Sequence, residues 1–458
     1  MPRVYSAPTT IELEMTEACN VSCRHCSNFW RDSSDKMVSM TYQNVDILIE
    51  KFVEAGVFHV IPSGGEPMAK FDLLEYTINK LTENNISTSI NSNLMLATEK
   101  RMKRLFDAGL DHVLTSLNSY DPRINDYMVN QLGAFEKIVN GIKTTVAAGI
   151  RVSANMVVGQ LNKDHVYQTA ILAHEIGCQK FFGTRVVPAV YKDMSVEKED
   201  FLSKKDALET LNELLRAKED TGIMIGTLIS YPLCLLSDLE KYADFVGRGC
   251  PAQRGDRMSI NATGESHACV HEEESYGNVL KTDLREAFAG MKLWHDGSYR
   301  YEECQGCDYS EVCSSGCRMS SLAHNGRLDG KDHLMENKDN FRKRFKIATD
   351  PELIAKINLG MKFRVPERIR FRREDGYYLL NIRWANTIEI ETDTAEFLIR
   401  QRKHEHSFDI NDFGIEKINL LTHLYMKDAI VSDEHFDDNR HLSGLSINPA
   451  ALPDVKVA

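Results

Sequence analysis

The residues with the most chemistry to offer stand at Cys19, Cys23 and Cys26, a Cys-x3-Cys-x2-Cys run within residues 15–30. Three thiols so spaced on one loop can take three corners of a cubane iron–sulfur cluster and leave its fourth iron without a protein ligand, which makes that iron a place for chemistry. Zinc would ask for four ligands in a tetrahedron, and neither His25 nor any neighbour completes the set. Downstream, Gly64-Gly65-Glu66-Pro67 follows a short apolar run. Paired glycines let a ligand approach the backbone, and the Glu66 carboxylate can accept hydrogen bonds from an ammonium group. A second set of thiols reads Cys250, Gly264-x4-Cys269, then Cys304-x2-Cys307-x5-Cys313-x3-Cys317, again with metal-ligand spacing, for which a zinc ribbon is the plain alternative. Cys178 and Cys234 fall outside both groups and read as small buried hydrophobes.

These thiols sit in a chain of 458 residues, 42% hydrophobic and 27% charged, long enough for two or three domains. Eleven cysteines in a small secreted protein would suggest disulfides, but thiolates that bind metal must stay reduced, so their clustering points to a reducing, low-oxygen interior. No wholly apolar run reaches membrane-spanning length and the N-terminus has no basic or apolar targeting pattern, so the expectation is a cytoplasmic protein without a membrane partner. A net charge of −12 argues against a nucleic-acid partner, which would need a concentrated basic face.

The elements that must position the thiols follow a repeating unit. A short apolar strand (Val4, Ile11, Leu13) precedes the first cysteine loop. Helix 41–55 then carries Val45, Leu48, Ile49, Phe52 and Val53 on one face and stops at Gly56, and the strand Val57 to Ile61 follows. The unit recurs as helix 71–83 and strand 86–91, helix 98–108 and strand 112–117, helix 134–148 and strand 150–158, and helix 164–176 and strand 179–187. Helix–strand alternation with short loops implies right-handed crossovers and a parallel sheet, with ligands collected at the C-terminal ends of the strands. The expected class is α/β: a partial (β/α)6 barrel over 1–235, a small cysteine-rich iron–sulfur domain over 236–325, and a helical bridge or linker over 326–365. A C-terminal winged-helix-like α+β module over 366–435 and a tail over 436–458 complete the chain. In that module Arg368–Arg373 and Tyr377–Arg383 flank a Glu374-Asp375-Gly376 hairpin turn, Thr387–Glu391 reads as an exposed third strand, and helices follow at 394–403 and 415–429.

The triplet Cys19, Cys23 and Cys26 together with Gly64–Pro67 resembles the radical S-adenosylmethionine enzymes. In that family a [4Fe-4S] cluster with one open iron chelates the methionyl amine and carboxylate of S-adenosylmethionine and reduces its sulfonium to release a 5′-deoxyadenosyl radical. The resemblance covers about residues 5–230. It implies that His25 lies against the adenine, that Gly64, Gly65, Glu66 and Pro67 belong to the S-adenosylmethionine site with Glu66 holding the methionyl amine, and that Asn91, Ser116 and Asn118 line the ribose and methionine pockets. The order of the later thiols looks like the SPASM extension, which holds two auxiliary iron–sulfur clusters. On that pattern Cys250, Cys269 and Cys317 serve the first, and Cys304, Cys307 and Cys313 the second. The family's seventh cysteine, downstream of the others, is missing after Cys317. Its place would fall to oxygen or nitrogen from a residue such as Asp329, Asp332, His333 or Glu336, or the cluster keeps an open iron.

The C-terminal module resembles, more loosely, the leader-recognition domain of ribosomal-peptide pathways. A precursor peptide with a leader would add as a strand beside Thr387, Ile388, Glu389, Ile390 and Glu391, and pack on Leu421, Leu424 and Tyr425. The function implied is a peptide maturase that abstracts a hydrogen from a precursor residue and installs a C–C, C–O or thioether cross-link, fed by a small flavodoxin- or ferredoxin-type reductant. Epimerisation is an alternative, as is oxidation of Cys or Ser to formylglycine. Enzymes of the latter kind carry Asp after the cysteine matching Cys269, where this chain has Val270. A non-enzymatic iron–sulfur peptide-binding or electron-transfer scaffold is the third reading.

Overall fold

The computed structural model describes residues 4–26, 28, 37–187, 200–246, 249–336, 350–383 and 386–433. The expected tail at 436–458 and parts of the expected bridge lie outside these residues. The chain divides into two compact units, Met1–Arg344 and Phe345–Ala458.

The first unit is built on one sheet. Its strands are β1 (Thr10–Thr16), β2 (His59–Gly64), β3 (Ser87–Asn91), β4 (His112–Ser116), β5 (Arg151–Val158), β6 (Lys180–Arg185), β7 (Met224–Gly226), β8 (Arg257–Ile260) and β9 (Ser266–His267), in the order β7-β6-β5-β4-β3-β2-β1-β8-β9. The six expected strands form and pair in parallel, as in Ile11 opposite Val60 and Leu114 opposite Ser153. Strand β1 begins at Thr10, and Val4 lies before it, half-exposed. Helices α1 (Tyr42–Ala55), α2 (Phe71–Glu83), α3 (Glu99–Asp107), α4 (Pro122–Val129), α5 (Ala134–Ala147), α6 (Val166–Glu175) and α7 (Lys204–Thr221) connect the strands. Helix α1 shows why these segments fold locally: Thr41 and Asn44 form a reciprocal capping box at its start, and Gly56 closes it in the left-handed conformation. Its buried face of Val45, Leu48, Ile49 and Phe52 contributes about 1.5–3 kcal/mol per side chain as an upper bound.

Two additions extend the sheet past the six units. Strand β7 joins β6 in parallel at one edge. At the other, β8 pairs in parallel with β1 (Thr10 opposite Arg257) and turns back through β9, so residues expected in a separate cysteine-rich domain continue the barrel sheet. Both are too short to show a period in sequence.

The second unit holds an antiparallel meander, β11 (Arg370–Arg373), β12 (Tyr377–Arg383) and β13 (Asn386–Glu391), and a two-stranded pair of β10 (Phe363–Arg364) with β14 (Val431–Ser432). Helix Pro351–Asn358, expected within a bridge, belongs to this unit's core: Leu353, Ile357, Phe363 and Val365 cluster with Leu380, Leu398, Leu421 and Leu424. Leu353, Ile354 and Ile357 on an eight-residue helix make too short a stripe to separate core from linker by sequence, and of these only Leu353 and Ile357 are buried. No helix among the described residues is long and apolar enough to cross a membrane.

Candidate functional site

Cys19, Cys23 and Cys26 lie half-buried on the loop that leaves the C-terminal end of β1. The returning segment ties the loop's base, since Glu17 N–H donates to the Val38 carbonyl (2.9 Å) and Val38 N–H to the Glu17 carboxylate (2.8 Å). Its middle is held by the end of α4. Arg24 donates from its backbone to Met128 O (2.9 Å) and from its guanidinium to Tyr127 O and Asn130 Oδ1, while Asn130 donates to Ser22 Oγ. Helix α4 was not expected from sequence, and it makes these contacts between the first and last thiol.

The Gly64–Pro67 turn is also packed against the cysteine loop. Gly65 N–H donates to Thr16 O (2.7 Å) and Glu66 N–H to Ala18 O (2.8 Å), so the turn runs along the cysteine loop itself. A Cβ on Gly64 would stand 2.3 Å from Thr16 O, and one on Gly65 2.4 Å from Ala18 O; Gly64 also has φ +122°. The glycines are therefore needed for the close approach of two protein segments. Glu66 is 1% exposed, and its carboxylate already accepts from Met68 N–H (2.9 Å), Ser92 Oγ–H (2.8 Å) and Asn93 N–H (2.8 Å). Burial pushes its carboxyl up against the opposing pull of those bonds. Glu66 thus staples the turn to the loop after β3, and Asn93 extends the staple by donating to Asn20 beside Cys19. Pro67 is buried at the first position of the following turn.

The remaining expected residues sit at strand ends as predicted, with different degrees of commitment. Asn91 donates to Glu12 Oε1 (3.0 Å) on β1, and Ser116 is half-buried at the end of β4. Asn118 is fully buried and its Oδ1 accepts from Val157 N–H, whereas its Nδ2 has no partner among the described residues. A buried donor without an acceptor fits a site completed by a polar ligand. His25 is half-buried beside Cys26. Glu12, 7% exposed, and Glu14, 6% exposed, were missed; they alternate with Leu13 on β1, and Arg257 of β8 pairs with Glu12 at 3.3 Å. That Glu-Leu-Glu alternation in a strand buried on both faces was the available signal.

The later thiols form two groups. Cys269 interacts electrostatically with Cys250 and Cys317, and loss of hydration pushes the Cys250 thiol up to about 11. Cys313 is likewise pushed up to about 12 and interacts with Cys304. Neighbouring thiols disfavour one another's ionisation until a cation compensates them, so the donor set fits an iron–sulfur core. No three His, Cys, Asp or Glu side chains among the described residues stand as close as one metal ion would need. A cubane makes no such demand, since each thiolate binds a different iron. Behind the Cys317 group, Asp332 is fully buried and accepts from Arg185 through both oxygens (2.9 and 2.5 Å) and from Cys317 N–H (2.9 Å). Burial alone would raise its carboxyl, but Arg185 outweighs it and holds it below the usual range. Cys178 is buried on the barrel side, its thiol pushed up to about 12, as a structural cysteine should be.

In the second unit β13 is the edge strand of the meander, with Ile388 and Ile390 inward, Glu389 and Glu391 exposed and Thr387 half-buried. Leu421 and Leu424 are fully buried in the unit's core, and Tyr425 packs on Phe363. The stripe expected to meet a peptide is used inside, because the same apolar face serves core and groove alike in a sequence.

Residues 13–173 match the model of the Radical SAM superfamily. The chain is 26% identical to a PqqA peptide cyclase of Methylocella silvestris over 78% of this chain and 97% of that protein. It is 23% identical to an AdoMet-dependent heme synthase of Methanosarcina barkeri over 70% of this chain and 94% of that protein. The fold resembles Streptococcus suis SuiB bound to precursor peptide SuiA (TM-score 0.56, 16% identity, 72% of this chain and 76% of that one).

Proposed function

We propose, from the premise that residues 13–173 form a radical SAM domain, that the protein is a peptide maturase that cross-links a ribosomally made precursor. The observation that carries the reading is the likeness to a PqqA peptide cyclase along nearly all of that enzyme's length. Cys19, Cys23 and Cys26 would hold the [4Fe-4S] cluster, with S-adenosylmethionine bound near His25, Gly64–Pro67, Asn91, Ser116 and Asn118. Cys250, Cys269 and Cys317 would hold one auxiliary cluster, and Cys304, Cys307 and Cys313 part of the other. When bound, these groups supply hydrogen-atom abstraction from an unactivated carbon and an outlet for a second electron.

The chain's own part is placement. The Glu66 staple and the Arg24 contacts hold the cysteine loop against the strand ends, and Asn118 keeps a buried donor ready for a polar ligand. As the last strand of the meander, β13 would offer main-chain groups to a leader segment, which would raise the effective concentration of the core peptide. A low-potential flavodoxin- or ferredoxin-type protein and a cytoplasmic setting complete the reading.

The test is anaerobic reconstitution with S-adenosylmethionine, reductant and the peptide encoded beside the gene. A cross-link removes two hydrogens and shifts the peptide mass accordingly, with deoxyadenosine formed; deoxyadenosine with unchanged peptide mass refutes the function. Removal of residues 350–458 should abolish peptide turnover while sparing uncoupled deoxyadenosine release. The likeness to a heme synthase supports a second reading, a small-molecule substrate, under which that truncation leaves turnover intact.

A further inference from the structure

The second auxiliary group has three thiols and no downstream cysteine to complete it. Of the oxygen and nitrogen donors named above, the three carboxylates are engaged elsewhere: Asp332 gives both oxygens to Arg185, Asp329 pairs with Arg327 (2.7 Å) and Glu336 with Lys204 (3.0 Å). His333 Nδ1 meets Ser320 Oγ (3.2 Å), while its buried Nε2 has no hydrogen-bond partner among the described residues and is the competing donor.

A thiol arrives instead from far upstream. The turn Leu233–Leu235 presses against Cys313: Leu233 N–H donates to Cys313 Sγ at 3.3 Å. Leu233 and Leu235 are buried, whereas Cys234 between them is half-buried. Its thiol lies within electrostatic reach of Cys304 and Cys307, and that of Cys313 within reach of Cys234 and Cys304. A structural cysteine such as Cys178 has none of this company; burial is the sole cause of its shift.

We propose that Cys234 joins Cys304, Cys307 and Cys313 as the fourth thiolate of the second auxiliary cluster, closing it from a turn 70 residues upstream of Cys304. The inference rests on the reading of this region as cluster-binding. With four thiolates the cluster has no open iron. It then serves electron transfer or folding, and direct substrate ligation is excluded there. It also ties the segment after β7 to the cysteine-rich loops, so that ligation is coupled to the packing of that segment.

The experiment compares the full chain with Cys234→Ala, Cys234→Ser and Cys178→Ala after identical anaerobic reconstitution, reading iron and sulfide content and the low-temperature EPR of the reduced clusters. Cys178→Ala should match the wild type. Cys234→Ala should either lose about a third of the iron and sulfide, one cluster in three, or keep it with a signal that shifts on adding imidazole. Cys234→Ser, with an oxygen donor in place, should retain the iron and change the spectrum. Wild-type iron and an unchanged, imidazole-insensitive spectrum in both Cys234 variants overturns the proposal. A wild-type chain that takes up iron for one cluster alone overturns the cluster-binding reading beneath it.

Discussion

Replacing Gly65 by alanine tests whether the glycine pair acts on the cysteine loop. The new Cβ would sit 2.4 Å from Ala18 O and 2.7 Å from Glu17 O, both backbone atoms, and ordinary contact begins near 3.4 Å, so the loop or the turn must retreat by about 1 Å. That retreat strains the bonds Gly65 N–H to Thr16 O and Glu66 N–H to Ala18 O, together about 2 kcal/mol. Cys19 is the residue after Ala18, so the displacement falls on the first thiol of the triplet. A misplacement of this size costs about 100-fold in a reaction that depends on alignment. The expected result for Gly65→Ala is a roughly 100-fold lower rate of deoxyadenosine release, with the iron of the two auxiliary clusters retained. Gly290→Ala, where the added Cβ finds its nearest atom at 3.6 Å, is the control and should change neither. Wild-type deoxyadenosine release from Gly65→Ala would show that the close approach is not what positions the loop.

Two further outcomes follow from buried charge. Asp332→Asn leaves the Arg185 guanidinium buried without its counter-charge, which should cost about 3–5 kcal/mol, read as a lower denaturation midpoint of the full chain; a change below about 1 kcal/mol would refute that role. Glu272, which accepts from Trp294 and Tyr276, is pushed by burial up to about 7. The unfolded carboxyl ionises near 4.5 while the folded one keeps its proton to about 7, so stability falls as pH rises through that window, by up to about 3 kcal/mol, and Glu272→Gln should flatten the slope. Identical pH profiles for the two proteins would refute it.

What could be read from sequence was whatever repeats or is closely spaced. The six barrel strands were legible because helices such as α1 show their period over fourteen residues between a Thr41 cap and Gly56. Strands β7, β8 and β9, of three, four and two residues, carry no such pattern and are made by pairing with a sheet already present. The thiol triplet and the second group were visible from spacing, whereas the role of Glu66 was not, since its carboxylate takes one donor from its own turn and two from the loop after β3. Leu421 and Leu424 show the converse limit: an apolar stripe states that a face is covered without stating by what.

Cys234 joins these limits in one residue. Judged by spacing it is a lone cysteine among leucines, and the bland expectation of a small buried hydrophobe follows. Its neighbours Leu233 and Leu235 do behave that way, which is what lets the turn be anchored tightly enough to bring a thiol beside Cys313. The apolar context that hides the residue in sequence is thus the means of its placement. A chain lacking the downstream cysteine can close its cluster from the barrel side at the cost of one substitution in a turn that already packs there. If Cys234 closes the cluster as proposed, the absence of a cysteine after Cys317 is no guide to an open iron.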